Sequence, residues 1–215
     1  MSLKVARPLS ILLRAMPALL AGVTVLLPIG SGVLRAQSAA PGKASAPAGW
    51  FLAGNRPDNY TTGVDSSMMY TGYPSAFLKA KSDASGFGTL MQTFAPGQYA
   101  GKRIRLSANV KSEGVGRSAG LWLRIDGPQS GGTPKMLGFD NMSNRPIRGT
   151  SYWNRYEVVL DVPSEAVDIA MGILLDGPGE VWMNSVSVDV VPNSVPTTAM
   201  SPSLPAEPQN LSFTK

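Results

Sequence analysis

Between Ala119 and Asp126 the side chains alternate, and the polar side of the alternation carries Trp122, Arg124 and Asp126. An indole plane beside a guanidinium and a carboxylate can stack a flat ring and hydrogen-bond its hydroxyls. Ser107 and Asn109 stand on the polar side of an earlier run. The segment Phe139–Arg145 is polar and lies between apolar runs, where loops commonly deliver binding groups. Trp122, Arg124, Asp126, Asn109, Asp140, Asn141 and Arg145 are therefore the candidate ligand-binding residues, with the small Ala170 and Gly172 as a groove floor. The same triplet has a plainer reading. Trp122 is then covered by a loop, and Arg124 with Asp126 forms a surface ion pair of small energetic weight. The residues alone leave both open.

What the chain lacks narrows the chemistry further. Its 215 residues include no Cys and no His. Ser-His-Asp and Cys-His catalysis, thiolate redox chemistry and most transition-metal sites are excluded, because they depend on imidazole or thiolate. A carboxylate-pair glycoside hydrolase needs only two acids, and Asp126, Asp140, Glu157 and Glu180 can be nominated. None stands in a recognisable catalytic context, so no catalytic residue is assigned and the chain reads as a non-enzyme. The bases Lys102, Arg103, Arg105 and Lys111 form a row that could meet an acidic polymer or lipid headgroups, or on a solvated strand serve solubility and edge protection.

The elements that position these groups follow a leader. Lys4 and Arg7, an apolar stretch from Ala15 to Leu34, and the small-residue run Ala36–Ala40 stand in the order of a secretion signal, with a cleavage site after Ser38. The expectation is a signal peptide over 1–38 and a periplasmic or secreted product with no stable membrane insertion. The alternative is an N-terminal membrane anchor, since about 20 apolar residues can span a bilayer. The net charge of +5 belongs mostly to this segment: beyond residue 38 there remain 15 bases against 14 acids. Nucleic acid is accordingly not an expected partner. Residues 39–49 read as a flexible leader and 192–215, with five prolines, as a disordered tail.

Residues 50–191 form one domain of one kind of structure. Ile104, Leu106, Ala108 and Val110 alternate with polar residues. So do Leu121, Leu123 and Ile125; Tyr156, Val158 and Leu160; and Ile169, Met171, Ile173 and Leu175 alternate with Ala170, Gly172 and Leu174. Further strands are expected at 67–71, 75–80, 87–94, 135–140 and 181–191. Turns are expected at Pro96-Gly97, Glu113-Gly114, Asp126-Gly127-Pro128, Gly131-Gly132 and Asp176-Gly177-Pro178. Short alternating strands at this spacing predict an all-β fold, a two-sheet antiparallel β-sandwich. Trp50, Trp153 and Trp182 are expected in packing rather than on a ligand.

The order Gly72-Tyr73-Pro74, then Gly88-Thr89-Leu90-Met91-Gln92-Thr93-Phe94, then Gly101-Lys102-Arg103-Ile104-Arg105-Leu106-Ser107-Ala108, Trp153-Asn154-Arg155-Tyr156, Val162-Pro163 and Val181-Trp182-Met183-Asn184-Ser185-Val186 resembles a known pattern. It is similar to the galactose-binding-like jelly roll of bacterial carbohydrate-binding modules over about 120 residues. The resemblance implies a jelly roll and a carbohydrate or similar small polar ligand on the sheet face or loops. It also leaves open a cell-envelope protein partner for a structural or interaction module. In that family a calcium site often lies near the chain ends and the closing element carries two acids. Asn184-Ser185 stand in their place, so no cofactor is assigned.

Overall fold

A computed structural model describes residues 45–82, 84–199 and 211–212. The expected signal over 1–38, the first part of the leader and most of the tail beyond residue 199 lie outside the described residues. Among those described there is no α-helix. The strands are β1 (Phe51–Gly54), β2 (Tyr60–Tyr70), β3 (Tyr73–Ala80), β4 (Phe87–Phe94), β5 (Lys102–Ser130), β6 (Thr133–Asp140), β7 (Ile147–Val162), β8 (Asp168–Asp176) and β9 (Glu180–Val191). They hydrogen-bond in the order β1-β4-β8-β5-β9-β3-β2, with β6 and β7 also paired to β5, all antiparallel.

The long β5 makes this continuous sheet into a sandwich. Its first part, from Lys102 to Glu113, pairs with β7 and β9; its second, from Ser118 to Ser130, pairs with β8 and β6. The pairing with β7 is irregular between Val110 and Ala119, where Gly114 adopts a φ of +58°, and there the strand passes from one layer to the other. The sequence reads this stretch as two strands with a turn at Glu113-Gly114; the structure keeps it as one bent strand. Asp126-Gly127-Pro128 is likewise not a turn but an irregular stretch of β5 against β6. Pro128 donates no hydrogen bond to a ladder, and such positions suit it. The reversal falls at Gly131-Gly132, with φ of +63° and +86°.

The alternation places the core as expected. Ile104, Ala108, Val110, Leu121, Leu123, Ile125, Ile169 and Leu175 are fully buried, and Leu90, Val158, Leu160, Ile173 and Met171 pack with them. Beta-1 and the first half of β2 carry no clear alternation, so the sequence pattern does not predict them. Tyr60, which opens β2, is 2% exposed. Its hydroxyl donates to Gly86 O at 2.6 Å and accepts from the Gly177 N–H at 3.0 Å. Its ring fills the space beside Gly88, where a Cβ would come within 2.5 Å of Tyr60 Cγ.

The domain also extends past Val191. Val159, on the outward side of β7, is nevertheless buried, because residues 193–198 run along that strand. Thr198 N–H donates to Val159 O at 2.9 Å and Val159 N–H to Thr198 Oγ1 at 2.8 Å. Arg103 Nη1 donates to the carbonyls of Asn193 and Val195 at 2.7 and 2.6 Å, while its Nε and Nη2 hold Asp161. An open strand edge exposes unpaired N–H and C=O groups, and this segment satisfies part of that edge. Thr198→Val should therefore lower unfolding free energy by about 1–2 kcal/mol, read as a lowered melting temperature. Unaltered melting would show that the segment contributes no stability.

Candidate ligand-binding cleft

The outward face of the layer β6-β5-β8-β4-β1 carries a cleft of about 790 Å³. Its floor is set by register. Trp122 stands opposite Gly172 on β8, and Gly172 opposite Met91 on β4. The indole N–H donates to Thr89 Oγ1 on β4 at 2.7 Å. From β5 to β4 is about 10 Å, two strand spacings, so the ring must lie along the sheet over the intervening strand. Gly172 is the residue of that intervening strand paired with Trp122. A Cβ there would press on the backbone oxygen of Leu90 and on Met91, a close backbone approach of the kind that calls for glycine in a strand. Thr89 is satisfied as well, its hydroxyl donating to Ile173 O at 3.0 Å. The indole is thereby tied across the sheet and is partly buried.

Around this floor stand aromatic walls and polar ends. Phe139 on β6, opposite Arg124, and Phe87 on β4 are 40% and 36% exposed and line the cleft. Arg124 reaches Asp126 through Nε at 2.8 Å and Nη2 at 2.9 Å. The Asp126 side chain is 10% exposed and the Arg124 side chain 40%. Asp126 thus orients Arg124, whose remaining N–H groups stay available to a ligand. At the other end Arg117 Nη2 holds Asp176 Oδ1 and donates to Gly86 O at 3.1 Å. Both arginines are preoriented by carboxylates, so the polar ends are near neutrality.

The structure brings together Trp122, Arg124, Asp126 and Asn141, with Ala170 on the floor. It does not bring Asn109 there. Asn109 lies on the first part of β5, opposite Arg155 and Asn184, on the outer face of the other layer. Ser107 on that same face is bonded to Ser187 Oγ at 2.9 Å and to Arg155 Nη2 at 2.6 Å. Asp140 and Arg145 line no part of the cleft. Asp140 points inward opposite Leu123, with its side chain 2% exposed and bonded to Arg145 Nη2 at 2.7 Å. It also accepts from Met142 N–H at 2.8 Å and from the Thr198 hydroxyl. The pair builds the loop, in which Met142 is 1% exposed at a φ of +58°, and the loop delivers Asn141 to the cleft. Reading residues by strand parity did not reveal Phe87, Thr89, Arg117 or Asp176. The outward side of β4 (Phe87, Thr89, Met91) is the signal the sequence offers, but nothing local says which strand lies beside β8.

One carboxyl next to the cleft's Asp126 is held away from its ordinary range. Asp168 stands opposite Asp126. Burial, and then the Asp126 carboxylate, push its carboxyl above the ordinary carboxylate range, against the opposing pull of Arg124. Across the window from the ordinary value to the raised one, the folded chain binds more protons than the unfolded chain, so stability falls as pH rises. Asp168→Asn removes that loss. The variant's melting temperature should gain on wild type as pH rises from the ordinary carboxylate value and level off once Asp168 is ionised in the folded chain. A difference constant with pH would contradict this.

The nominated catalytic acids are engaged separately: Asp126 by Arg124, Asp140 by Arg145, Glu180 by Lys79 at 2.7 Å, and Glu157 by Arg155 at 3.4 Å. Trp182 is 4% exposed and Trp50 packs against the core, while Trp153 rests on Tyr70 with ring centroids 5.0 Å apart. Among the described residues no three acidic, His or Cys groups gather as a metal site.

A curled antiparallel sandwich of this order is the fold of the carbohydrate-binding modules, and the domain is a carbohydrate-binding-module-like β-sandwich. It is similar to the CBM22-1 xylan-binding domain of a Paenibacillus barcinonensis protein, with a TM-score of 0.51 at 12% identity over 69% of this chain and 90% of that one. The C-terminal family 22 carbohydrate-binding module of a Clostridium thermocellum protein also matches, with a TM-score of 0.47 at 15% identity over 66% of this chain and 86% of that one. In sequence, the chain is 44% identical over 169 residues to an uncharacterized HTH-type transcriptional regulator, YbfP, of Bacillus subtilis. That match covers 77% of this chain but only 56% of the regulator's length. No protein-family model matches the chain.

Proposed function

We propose that this protein is a non-catalytic, carbohydrate-binding module that acts outside the cytoplasm, with the β5-β8-β4 cleft as its site. The observation that carries the reading is Trp122, partly exposed in the cleft and tied across the sheet to Thr89. Sugar rings present flat C–H faces that stack on such a plane, and their hydroxyls pair with Arg124 and Arg117, which are held ready by carboxylates. Phe87 and Phe139 bound the ring on either side. The near-balanced charge of the cleft suits a neutral glycan better than an acidic one. The xylan-binding function named for one fold neighbour supports a plant-type polysaccharide as the first to try. The signal-like order of the N-terminal residues supports a periplasmic or secreted location.

The likeness to a transcriptional regulator supports a narrower variant of the same role. The match is too long to avoid the β domain, which contains no α-helix among its described residues. The shared part is then a ligand-sensing portion, not the DNA-contacting one. Calorimetric titration with xylan and glucan oligosaccharides tests the proposal. Saturable binding that Trp122→Ala removes supports it. Binding that survives that variant, or no binding across neutral and acidic glycans, overturns it in favour of an envelope protein partner.

A further inference from the structure

On the layer that does not carry the cleft, strand irregularities meet on the outer side where β2 turns into β3. Between the pairs Val110–Asn154 and Ser112–Ser151, β7 sets two residues, Tyr152 and Trp153, against the single Lys111. Val110 and Ser112 are fully buried, so Lys111 between them, and the bulge opposite it, lie on the outer side. A bulge of this kind re-aims side chains. The β2 strand is itself irregular between Asp65 and Met69. The turn that follows, Thr71-Gly72, has φ of +50° and +85°. It sets Tyr70 directly opposite Tyr73, and residues so paired share a face. Tyr70 in turn meets Trp153, with ring centroids 5.0 Å apart and planes tilted by 43°. Four aromatic residues from three strands are gathered at one place.

The groups around them are framework. Trp182, paired with Lys111 on this side, is buried. Lys111 Nζ lies 4.7 Å from its ring centre, and its indole N–H donates to Asp65 Oδ2 at 3.1 Å. Tyr73 and Tyr152 have no such duty. They are 70% and 87% exposed, Tyr73 beside Tyr70 and Tyr152 beside Trp153, and neither hydroxyl has a hydrogen-bond partner among the described residues. The nearby charges are already paired, Asp65 with Ser67 and Trp182, Arg155 with Glu157 and Ser107, so an ionic ligand gains little. The two exposed rings offer roughly 300 Å², well under the ~800 Å² that one partner of a stable protein complex buries. What they fit is a narrow, uncharged ligand with flat C–H faces and hydroxyls, which is a chain of sugar rings.

We propose that Tyr70, Tyr73, Tyr152 and Trp153 form a second platform for a neutral polysaccharide chain, on the layer opposite the Trp122 cleft and independent of it. The test uses the full chain with ring-labelled tyrosine, titrated with cellohexaose and with xylohexaose and followed by the tyrosine ring resonances. Saturable shifts of Tyr70, Tyr73 and Tyr152 are expected with at least one of the two, while Tyr60, Tyr99 and Tyr156 stay in place. The shifts should persist in Trp122→Ala, which disables the cleft. Tyr152→Ala and Tyr73→Ala should each weaken platform binding about 2- to 12-fold, the loss of one stacked ring. Melting should be unaltered in both, because these side chains face solvent. Absent shifts at Tyr73 and Tyr152 up to millimolar oligosaccharide, shifts that vanish in Trp122→Ala, or unchanged affinity in both tyrosine variants would overturn the platform and leave the cleft standing. Platform shifts in a chain whose remaining binding ignores Trp122→Ala would sink the cleft instead. A wild-type dimer in sedimentation that Tyr152→Ala converts to monomer would assign the patch to a second copy of the chain, against the proposal.

Discussion

Trp122→Ala should weaken glycan binding about 5- to 150-fold, because stacking on an aromatic platform is worth about 1–3 kcal/mol per ring. Melting should fall only slightly. The indole lies on the outer side of its layer, and removing it leaves Thr89 still bonded to Ile173 O. Leu123 provides the contrast. It is the next residue along the strand, points to the opposite side and is fully buried. Leu123→Ala should cost about 2–5 kcal/mol of stability through the cavity it leaves, with affinity unchanged below the melting transition. The paired measurements are thermal melting and calorimetric titration with the same oligosaccharide. If Trp122→Ala melts as low as Leu123→Ala, the indole is a packing residue and the cleft loses its floor as a recognition surface.

Asp140→Ala should produce the opposite pattern. Its carboxylate is nearly sealed from water and accepts hydrogen bonds from Arg145, Thr198 and the Met142 backbone. Removing one partner of a buried ion pair typically costs about 3–5 kcal/mol. The Arg145 side chain, 32% exposed, can turn to solvent, which moderates the loss to about 2–4 kcal/mol. Asp140→Asn, which keeps an acceptor for Met142 N–H, should lose less. Chemical denaturation measures both. Glycan affinity should persist in each variant at temperatures where it stays folded. Lost affinity with wild-type stability would return Asp140 to the ligand site and remove it from the loop framework.

These two residues show where the information lies. Trp122, Arg124 and Asp126 share a strand, and pleating alone puts them on one side, so their common face is legible from spacing. Asp140 and Arg145 carry the same chemistry in a polar segment, but whether such groups face a ligand or each other depends on what lies beneath them. Leu123 and the tail at Thr198 lie beneath them, remote in sequence.

Side-chain alternation determined the all-β class, the buried identities of Ile104 to Val110, Leu121 to Ile125 and Ile169 to Leu175, and the polar face that holds Trp122. Each is a local consequence of a period of two. Tertiary structure alone decided that β5 crosses between layers, which carries Asn109 to the far side of the sandwich from Trp122. It also decided that Phe87 and Thr89 of β4 stand across β8 from Trp122, and that residues 193–198 cover the edge of β7. Strand order and register come from long-range hydrogen-bond pairing and the burial it permits. A residue's immediate neighbours in sequence carry no record of either.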